Sequence, residues 1–225
     1  LQYIEGDPRF GGLKRRHRDI VDIWVRKEFR NLSRLDKWGL AVPKPIGVHK
    51  NVLVMDYLGT PTSPSPRLRD VKILNPQVVY DELIEFLAVT WQKAKMVHGD
   101  FSPYNIMWHD DRPVVIDVGQ AVVQSHPKSQ EFLVRDVTRL VEWANKNGLD
   151  VELAEAMYDV LEMDLSHIKP REEELTQIAY GLKKRRLHAL DMRQSLPRVP
   201  KDRIAVLIGA KGATRRELEK AAGCK

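Results

Sequence analysis

Apolar residues recur every three or four positions over four stretches of the chain, the spacing that places them on one face of a helix. The first stretch begins near Asp19 and ends before Gly39, a residue type that often terminates helices. The others cover about residues 80–94, 132–141 and 151–163. This pattern predicts that the first 165 residues are mostly helical.

A charged residue interrupts the first of these apolar faces. Glu28 lies four positions after Trp24 and four before Leu32. An unpaired carboxylate is costly to bury, so Glu28 either pairs with a cation or lies at the edge of the face and reaches solvent. In the third stretch, Asp136 and Arg139 are spaced for a local ion pair on the helix.

Short apolar runs predict strands. Residues 52–55 predict a buried strand, and the prolines at 43 and 45 predict an extended connection before it. Residues 106–108 and 114–116 are separated by the polar residues 109–113, which predicts a small β-hairpin. Residues 60–66, TPTSPSP, predict a solvated loop.

Polar residues suited to phosphoryl transfer flank this hairpin. Asp100 and Asn105 lie on the loop that enters its first strand, and Asp117 follows its second strand. A protein kinase has this arrangement: an Asp accepts the proton of the substrate hydroxyl, an Asn binds magnesium, and a metal-binding Asp precedes a Gly. Asp, Asn and Gly are also common in turns. Three matches at kinase spacing around one hairpin favour the catalytic interpretation.

The composition is that of a chain able to form a hydrophobic core, with 43% hydrophobic and 30% charged residues among 225. No apolar run approaches the ~20 residues that span a bilayer, and there is no secretory signal, so no membrane partner is expected. The single cysteine, Cys224, excludes an internal disulfide framework and suits a reducing interior. We therefore expect a cytoplasmic location.

The net charge of +6 is concentrated near the end of the chain, since residues 171–225 contain 14 Lys or Arg and 7 Asp or Glu. Such asymmetry is typical of a basic segment that binds an acidic partner, most simply nucleic acid. A solvated, lysine-rich surface would give the same charge.

The tail contains a second recognisable motif. The apolar run at residues 204–208 enters Gly209-Ala210-Lys211-Gly212, and a helix is predicted from Thr214. KH domains hold a nucleic-acid backbone with such a GXXG loop, because missing side chains allow close approach of phosphates. The motif predicts RNA binding through Gly209, Lys211, Gly212 and Arg215. The alternative is an ordinary glycine-rich turn that begins a helix.

Taken together, the motifs of residues 1–165 resemble those of RIO-family atypical serine/threonine protein kinases, closest to the type-one archaeal branch. The resemblance rests on KEFRNL (27–32), VLVMDYLG (52–59), VHGDFSPYNIM (97–107) and IDVGQAV (116–122), followed by HP (126–127) and RD (135–136). Residues 200–219, PKDRIAVLIGAKGATRRELE, resemble KH domains of archaeal ribosome-assembly factors.

The resemblance implies roles for individual residues. Asp100 would be the catalytic base, and Asn105 and Asp117 would bind Mg²⁺ or Mn²⁺ with ATP. Asp117 would also be the phospho-acceptor in autophosphorylation and ATP hydrolysis during maturation of the small ribosomal subunit. Glu28 would pair with a strand lysine that holds the nucleotide phosphates.

At the nucleotide site, the resemblance places Met55 and Tyr57 beside the adenine. The implied partners are ATP, a protein substrate or the protein itself, and ribosomal RNA or a pre-ribosomal particle.

The expected fold class is α+β. Residues 1–165 form a mostly helical, kinase-like C-terminal lobe with a small hairpin, residues 166–197 a basic helical linker, and residues 198–225 a truncated KH-like βα module.

The sequence also departs from the RIO pattern. No counterpart of the family's phosphate-covering loop and lysine-bearing strand precedes Glu28, and the KH unit stops at Lys225. The expectation is therefore a fragment of a longer kinase–KH protein, inactive as given. The rival interpretations are a small-molecule kinase of the aminoglycoside phosphotransferase type, which shares HGDxxxxN, and a non-catalytic RNA-binding scaffold.

Overall fold

The computed structural model describes residues 17–171, with side chains from residue 21, and the backbone of residues 204–208. The helices are α1 (His17–Lys37), α2 (Pro76–Gln92), α3 (Ser129–Lys146) and α4 (Leu153–Glu162), with 3-10 turns at Leu68–Asp70 and Val118–Gln120. The strands are β1 (Pro45–His49), β2 (Val52–Asp56), β3 (Met96–Val97), β4 (Ile106–His109), β5 (Arg112–Val115), β6 (Val122–Val123) and β7 (Ile204–Ile208).

The four helices predicted from apolar periodicity are present. Helices α2, α3 and α4 pack against one another. Their apolar faces form one core with Phe101 of the loop between β3 and β4. Helix α1 packs on the 3-10 turn at Val118–Gln120 and on β1. The loop after β3, which carries Asp100 and Asn105, therefore lies beside α3, and the turn after β5, which carries Asp117, is followed by the turn that α1 contacts.

The predicted hairpin is also present. Strands β4 and β5 pair antiparallel, with Ile106 opposite Val115 and His109 opposite Arg112. Asp110 and Asp111 form the two-residue turn and both have positive φ angles, 50° and 57°. A type I′ turn requires this backbone conformation, which Asp tolerates better than most residues. Strands β3 and β6 form a second small antiparallel pair.

A three-stranded sheet has the order β1-β2-β7. The extended connection predicted before the strand at residues 52–55 is itself strand β1, which begins at Pro45. The apolar run of the tail is a strand, and it pairs antiparallel with β2 from Val52↔Ile208 to Asp56↔Ile204. The remaining predictions for the KH-like module, including Gly209, Lys211, Gly212 and Arg215, lie outside the described residues.

Packing continues past residue 165, the predicted end of the kinase-like part. Ile168 packs on a small cluster with Leu165 and Ala88. Arg171 forms an ion pair with Asp36 at 2.8 Å and donates its backbone N–H to Lys37 O at 2.6 Å. The packed unit therefore continues at least to Arg171. Most of the predicted linker lies outside the described residues. Within the described residues, no helix is long and apolar enough to cross a membrane.

Candidate active site

His98, directly after β3, anchors the loop that carries Asp100. This side chain is 1% exposed. Its Nδ1 accepts the backbone N–H of Asp100 at 3.3 Å, and its Nε2 lies 3.2 Å from Ile116 O. An Nδ1 that accepts leaves the proton on Nε2, which assigns the neutral tautomer from the hydrogen-bond pattern. His98 thus ties the Asp100 loop to the residue just before Asp117.

Asp100 and Asn105 are in direct contact. Asn105 Nδ2 donates to the backbone oxygen of Asp100 at 2.9 Å and to its Oδ2 at 3.1 Å. Gln120 Nε2 donates to the same Oδ2 at 3.4 Å. The backbone oxygen of Asn105 accepts the N–H of Ile116 at 2.9 Å, so Asn105 and the Asp117 segment are neighbours. The structure therefore brings all three predicted catalytic-loop residues to one place.

Helix α3 fixes the backbone of the same loop. Both oxygens of Asp136 accept backbone hydrogen bonds, from Gly99 at 2.7 Å and from Phe101 at 3.0 Å. Arg135 Nη2 donates to Gly99 O, and Arg139 Nη1 forms an ion pair with Asp100 Oδ1. The predicted local ion pair between Asp136 and Arg139 is wrong, because both side chains extend across to the loop.

Asp136 is a charged group in the core. Its side chain is fully buried, and burial raises its pKa. The N–H groups of Phe101 and Gly99, and the Arg135 guanidinium, oppose that rise. These donors compensate the loss of water around the carboxylate, and the carboxylate orders the loop in return.

The turn that carries Asp117 has an unusual backbone. Asp117 adopts the left-handed conformation, with φ 56° and ψ 61°. Helix α1 holds the turn that follows: Lys27 Nζ donates to Gly119 O at 2.9 Å, and Asn31 Nδ2 donates to Val118 O at 2.8 Å. A left-handed non-glycine residue maintained by its surroundings is a feature that clusters at functional sites.

Glu28 faces this turn and is only 5% exposed. Burial, and after it the charge of Asp117, raises the pKa of Glu28 to about 7, while Lys27 acts in the opposite direction. The sequence left open whether Glu28 pairs with a cation or reaches solvent, and its burial excludes the second possibility. Its carboxylate lies on the cleft side of α1, with Lys27 as the nearby cation.

The donor set at the cleft fits a hard cation. The Asn105 amide nitrogen is engaged by Asp100, which leaves its Oδ1 without a hydrogen bond from the described side chains and backbone. Asp117 is exposed, and its carboxylate makes no capping hydrogen bond. Magnesium binds proteins through one or two such oxygens together with phosphates and water. Within residues 21–171 no cluster of three His, Cys, Asp or Glu side chains forms a closed metal site.

The predicted nucleotide-border residues lie in and directly after strand β2. Met55 is in β2 and Tyr57 directly follows that strand, and both are half-buried. No hydrogen bond or ion pair joins either of them to Asp100, Asn105 or Asp117 within residues 21–171.

Comparisons with known proteins decide the family. The RIO domain profile matches residues 1–157 of the 225. The chain belongs to the RIO domain family.

Two archaeal relatives of this RIO chain are RIO-type serine/threonine-protein kinases named Rio1. The one from Haloferax volcanii is 41% identical over 162 residues, which cover 72% of this chain and 55% of that protein. The one from Thermoplasma acidophilum is 40% identical over 151 residues, which cover 67% of this chain and 79% of that protein. The chain thus matches only about half of the Haloferax protein. These relatives and the RIO domain match confirm the predicted RIO kinase family.

Solved structures support the fold. A Rio2 kinase–ADP/Mg²⁺–phosphoaspartate complex from Chaetomium thermophilum matches with a TM-score of 0.52 and 20% identity, covering 74% of this chain and 51% of that one. The kinase-like part of the predicted fold is confirmed by this likeness.

Sequence reasoning missed several residues of this RIO site: Lys27, Asn31, Gln120, Asp136 and Arg139. One signal was available for Asp136, which interrupts the apolar face of α3 as Glu28 interrupts that of α1. The contacts of Lys27, Asn31 and Arg139 span at least 39 residues of sequence, so local patterns do not reveal them.

Proposed function

We propose that this chain is the catalytic-loop portion of an ATP- and magnesium-dependent serine/threonine protein kinase or ATPase of the RIO family. The observation that carries the proposal is the Asn105 side chain, whose amide nitrogen is bonded to Asp100 while its oxygen remains available beside the Asp117 turn. This arrangement supports the proposal, because phosphoryl transfer requires a base and metal ligands side by side.

In the proposed reaction, Asp100 accepts the proton of a substrate hydroxyl. The hydroxyl oxygen bonds to the γ-phosphorus of ATP, and ADP leaves. Asn105 and Asp117 would hold Mg²⁺ (or Mn²⁺), which would neutralise charge on the phosphates. Met55 and Tyr57 border the adenine. Asp117 is also the candidate acceptor when the phosphoryl group is transferred to the protein itself.

Glu28 has a separate role in this proposal. It pairs with a lysine that holds the α- and β-phosphates, as the helix glutamate of kinases does. A buried carboxylate that retains a proton near neutral pH is ready for such a partner, because an adjacent ammonium group favours the ionised form.

The test uses two proteins. One is the 225-residue chain, and the other is a chimera in which Leu1 is preceded by the part of the Haloferax volcanii relative that precedes its aligned residues. We expect the chimera to hydrolyse ATP or phosphorylate itself, and the 225-residue chain to do neither at an appreciable rate. Positioning supplies most of the catalysis, and the chimera adds the expected phosphate-covering loop and strand lysine.

In the chimera, Asp100→Ala should remove turnover. Asp110→Asn is the matched control, since Asp110 is an exposed residue of the hairpin turn and Asn tolerates its left-handed backbone. A folded chimera that binds nucleotide but never turns it over would favour the non-catalytic scaffold. Turnover that survives Asp100→Ala would contradict the proposed base.

We further propose that the tail binds RNA through Gly209, Lys211, Gly212 and Arg215, in a cytoplasmic protein that acts in small ribosomal subunit maturation. The basic balance of residues 171–225 supports this proposal. In a chain extended with the remaining strands of a KH unit, changing Gly209 and Gly212 to Asp should abolish binding of single-stranded RNA in a filter assay, because the new carboxylates repel phosphates. Unchanged binding would mean that the GXXG motif does not contact RNA and is an ordinary glycine-rich turn.

A further inference from the structure

The carboxylate of Asp100 has an uneven set of hydrogen-bond donors. Its Oδ2 accepts from Asn105 Nδ2 and from Gln120 Nε2, at 3.1 and 3.4 Å. Its Oδ1 accepts from Arg139 Nη1. Among the described residues, these are the side chains that donate to it.

A carboxylate offers about four acceptor positions, two on each oxygen. Two donors occupy Oδ2, and one occupies Oδ1. The position left for an incoming hydroxyl is therefore on Oδ1, the oxygen that also carries the Arg139 guanidinium. The Asp100 side chain is 32% exposed, so a substrate can reach this position.

Arg139 is well placed to hold the carboxylate in this orientation. It lies one turn after Arg135 on α3, and Arg135 and Asp136 hold the loop backbone on both sides of Asp100. The backbone contacts fix where the loop lies. The Arg139 contact is the one from this helix that reaches the Asp100 side chain itself.

We propose that Arg139 is a positioning residue for the candidate base: it orients the Asp100 carboxylate so that the second acceptor position of Oδ1 receives the acceptor hydroxyl. This inference rests on the proposed kinase function. A planar guanidinium restricts a carboxylate more than a flexible ammonium does, and an ammonium at the same place retains the charge.

The test measures steady-state turnover by the chimera defined above. Arg139→Ala should lower kcat about 10- to 100-fold and leave the KM for ATP within about twofold, because the base is misplaced while the nucleotide contacts remain. Arg139→Lys should restore part of the loss. Lys146→Ala, an exposed cation on the same helix, should change nothing. An unchanged or raised kcat for Arg139→Ala, or a Lys variant no better than Ala, would overturn the role.

A second measurement keeps the inference separate from the proposed function. Thermal unfolding of the 225-residue chain is compared for Arg139→Ala, Asp100→Ala and the double variant. The two changes should be non-additive, because each removes the same ion pair. Additive shifts in Tm would overturn the inference even if the chimera is an active kinase. A chimera without turnover, in which the pair still couples, would instead contradict the proposed function and leave the ion pair as structural only.

Discussion

The carboxylate of Asp136, on α3, accepts a 2.7 Å hydrogen bond from the backbone N–H of Gly99, directly before Asp100. Its other oxygen accepts the N–H of Phe101 at 3.0 Å, directly after Asp100. One buried side chain therefore fixes the backbone on both sides of the candidate base.

Asp136→Asn should lower the free energy of unfolding by about 1–3 kcal/mol. An amide keeps one acceptor oxygen but turns an NH₂ group toward the other backbone N–H, which is then buried without a partner. Hydrogen exchange at Gly99 or Phe101 should become faster, together with a lower urea midpoint. Asp150→Asn, at an exposed loop position, is the matched control. Equal effects of the two changes would contradict the anchoring role.

An interruption of the apolar helical face identifies Glu28 from the sequence, and the same signal was missed at Asp136. Glu28 and Asp136 each interrupt an apolar helical face, and each is buried. The apolar pattern also sufficed for the four helices and the β4–β5 hairpin, because these depend on local periodicity and turn chemistry.

The partners of the site were not predictable in the same way. Asp136 and Arg139 satisfy a local spacing rule, yet tertiary packing directs both to a loop more than 30 residues away. The left-handed backbone of Asp117 and the pairing of β7 with β2 likewise depend on contacts between distant segments.

Glu28 makes stability depend on pH. Its pKa is raised from 4.5 to about 7 in the folded protein, so the folded state binds this proton more tightly than the unfolded state. The stability that comes from the bound proton is fully present below pH 4.5 and is lost as pH rises to about 7. The loss is on the order of 3 kcal/mol.

Glu28→Gln should therefore flatten the pH dependence of the free energy of unfolding between pH 4.5 and 7 and raise that free energy at pH 8. Glu142→Gln, at an exposed position of α3, is the control and should leave the slope unchanged. Urea unfolding at a series of pH values measures both. A wild-type slope that persists in Glu28→Gln would assign the dependence to other groups.

Asp117 allows the charge and the backbone to be tested separately. Asn accepts a left-handed conformation, so Asp117→Asn should keep the fold while it lowers the affinity for Mg²⁺–ADP through loss of the anionic ligand. Asp117→Val should lose affinity and also about 1–2 kcal/mol of stability, because a β-branched residue is strained at this φ. Calorimetric titration with and without Mg²⁺ reads the first effect, and Tm the second. Full Mg²⁺-dependent affinity in Asp117→Asn would remove this residue from the metal site.

Gly119 is required by the close approach of α1 to the turn after Asp117. A Cβ at this position would lie 2.7 Å from Trp24 Nε1 and 3.5 Å from Glu28 Oε2. The indole is rigid and half-buried, so either α1 or the turn has to shift. Gly119→Ala should lower stability by about 1–3 kcal/mol, as over-packing of a filled site does. In the active chimera it should lower turnover as well, because Asp117 lies two residues before the clash.

Gly47→Ala is the matched control for this change, because a Cβ on Gly47 meets nothing within 4 Å. The cause of the Gly119→Ala effect can be checked by combining it with Trp24→Leu, which removes the indole nitrogen. If the clash is with Trp24, the double variant should be more stable than the sum of the two single effects predicts. Chemical denaturation of the four proteins gives the coupling free energy. A coupling of zero would mean that Gly119 is needed for its backbone rather than for the space it leaves to Trp24.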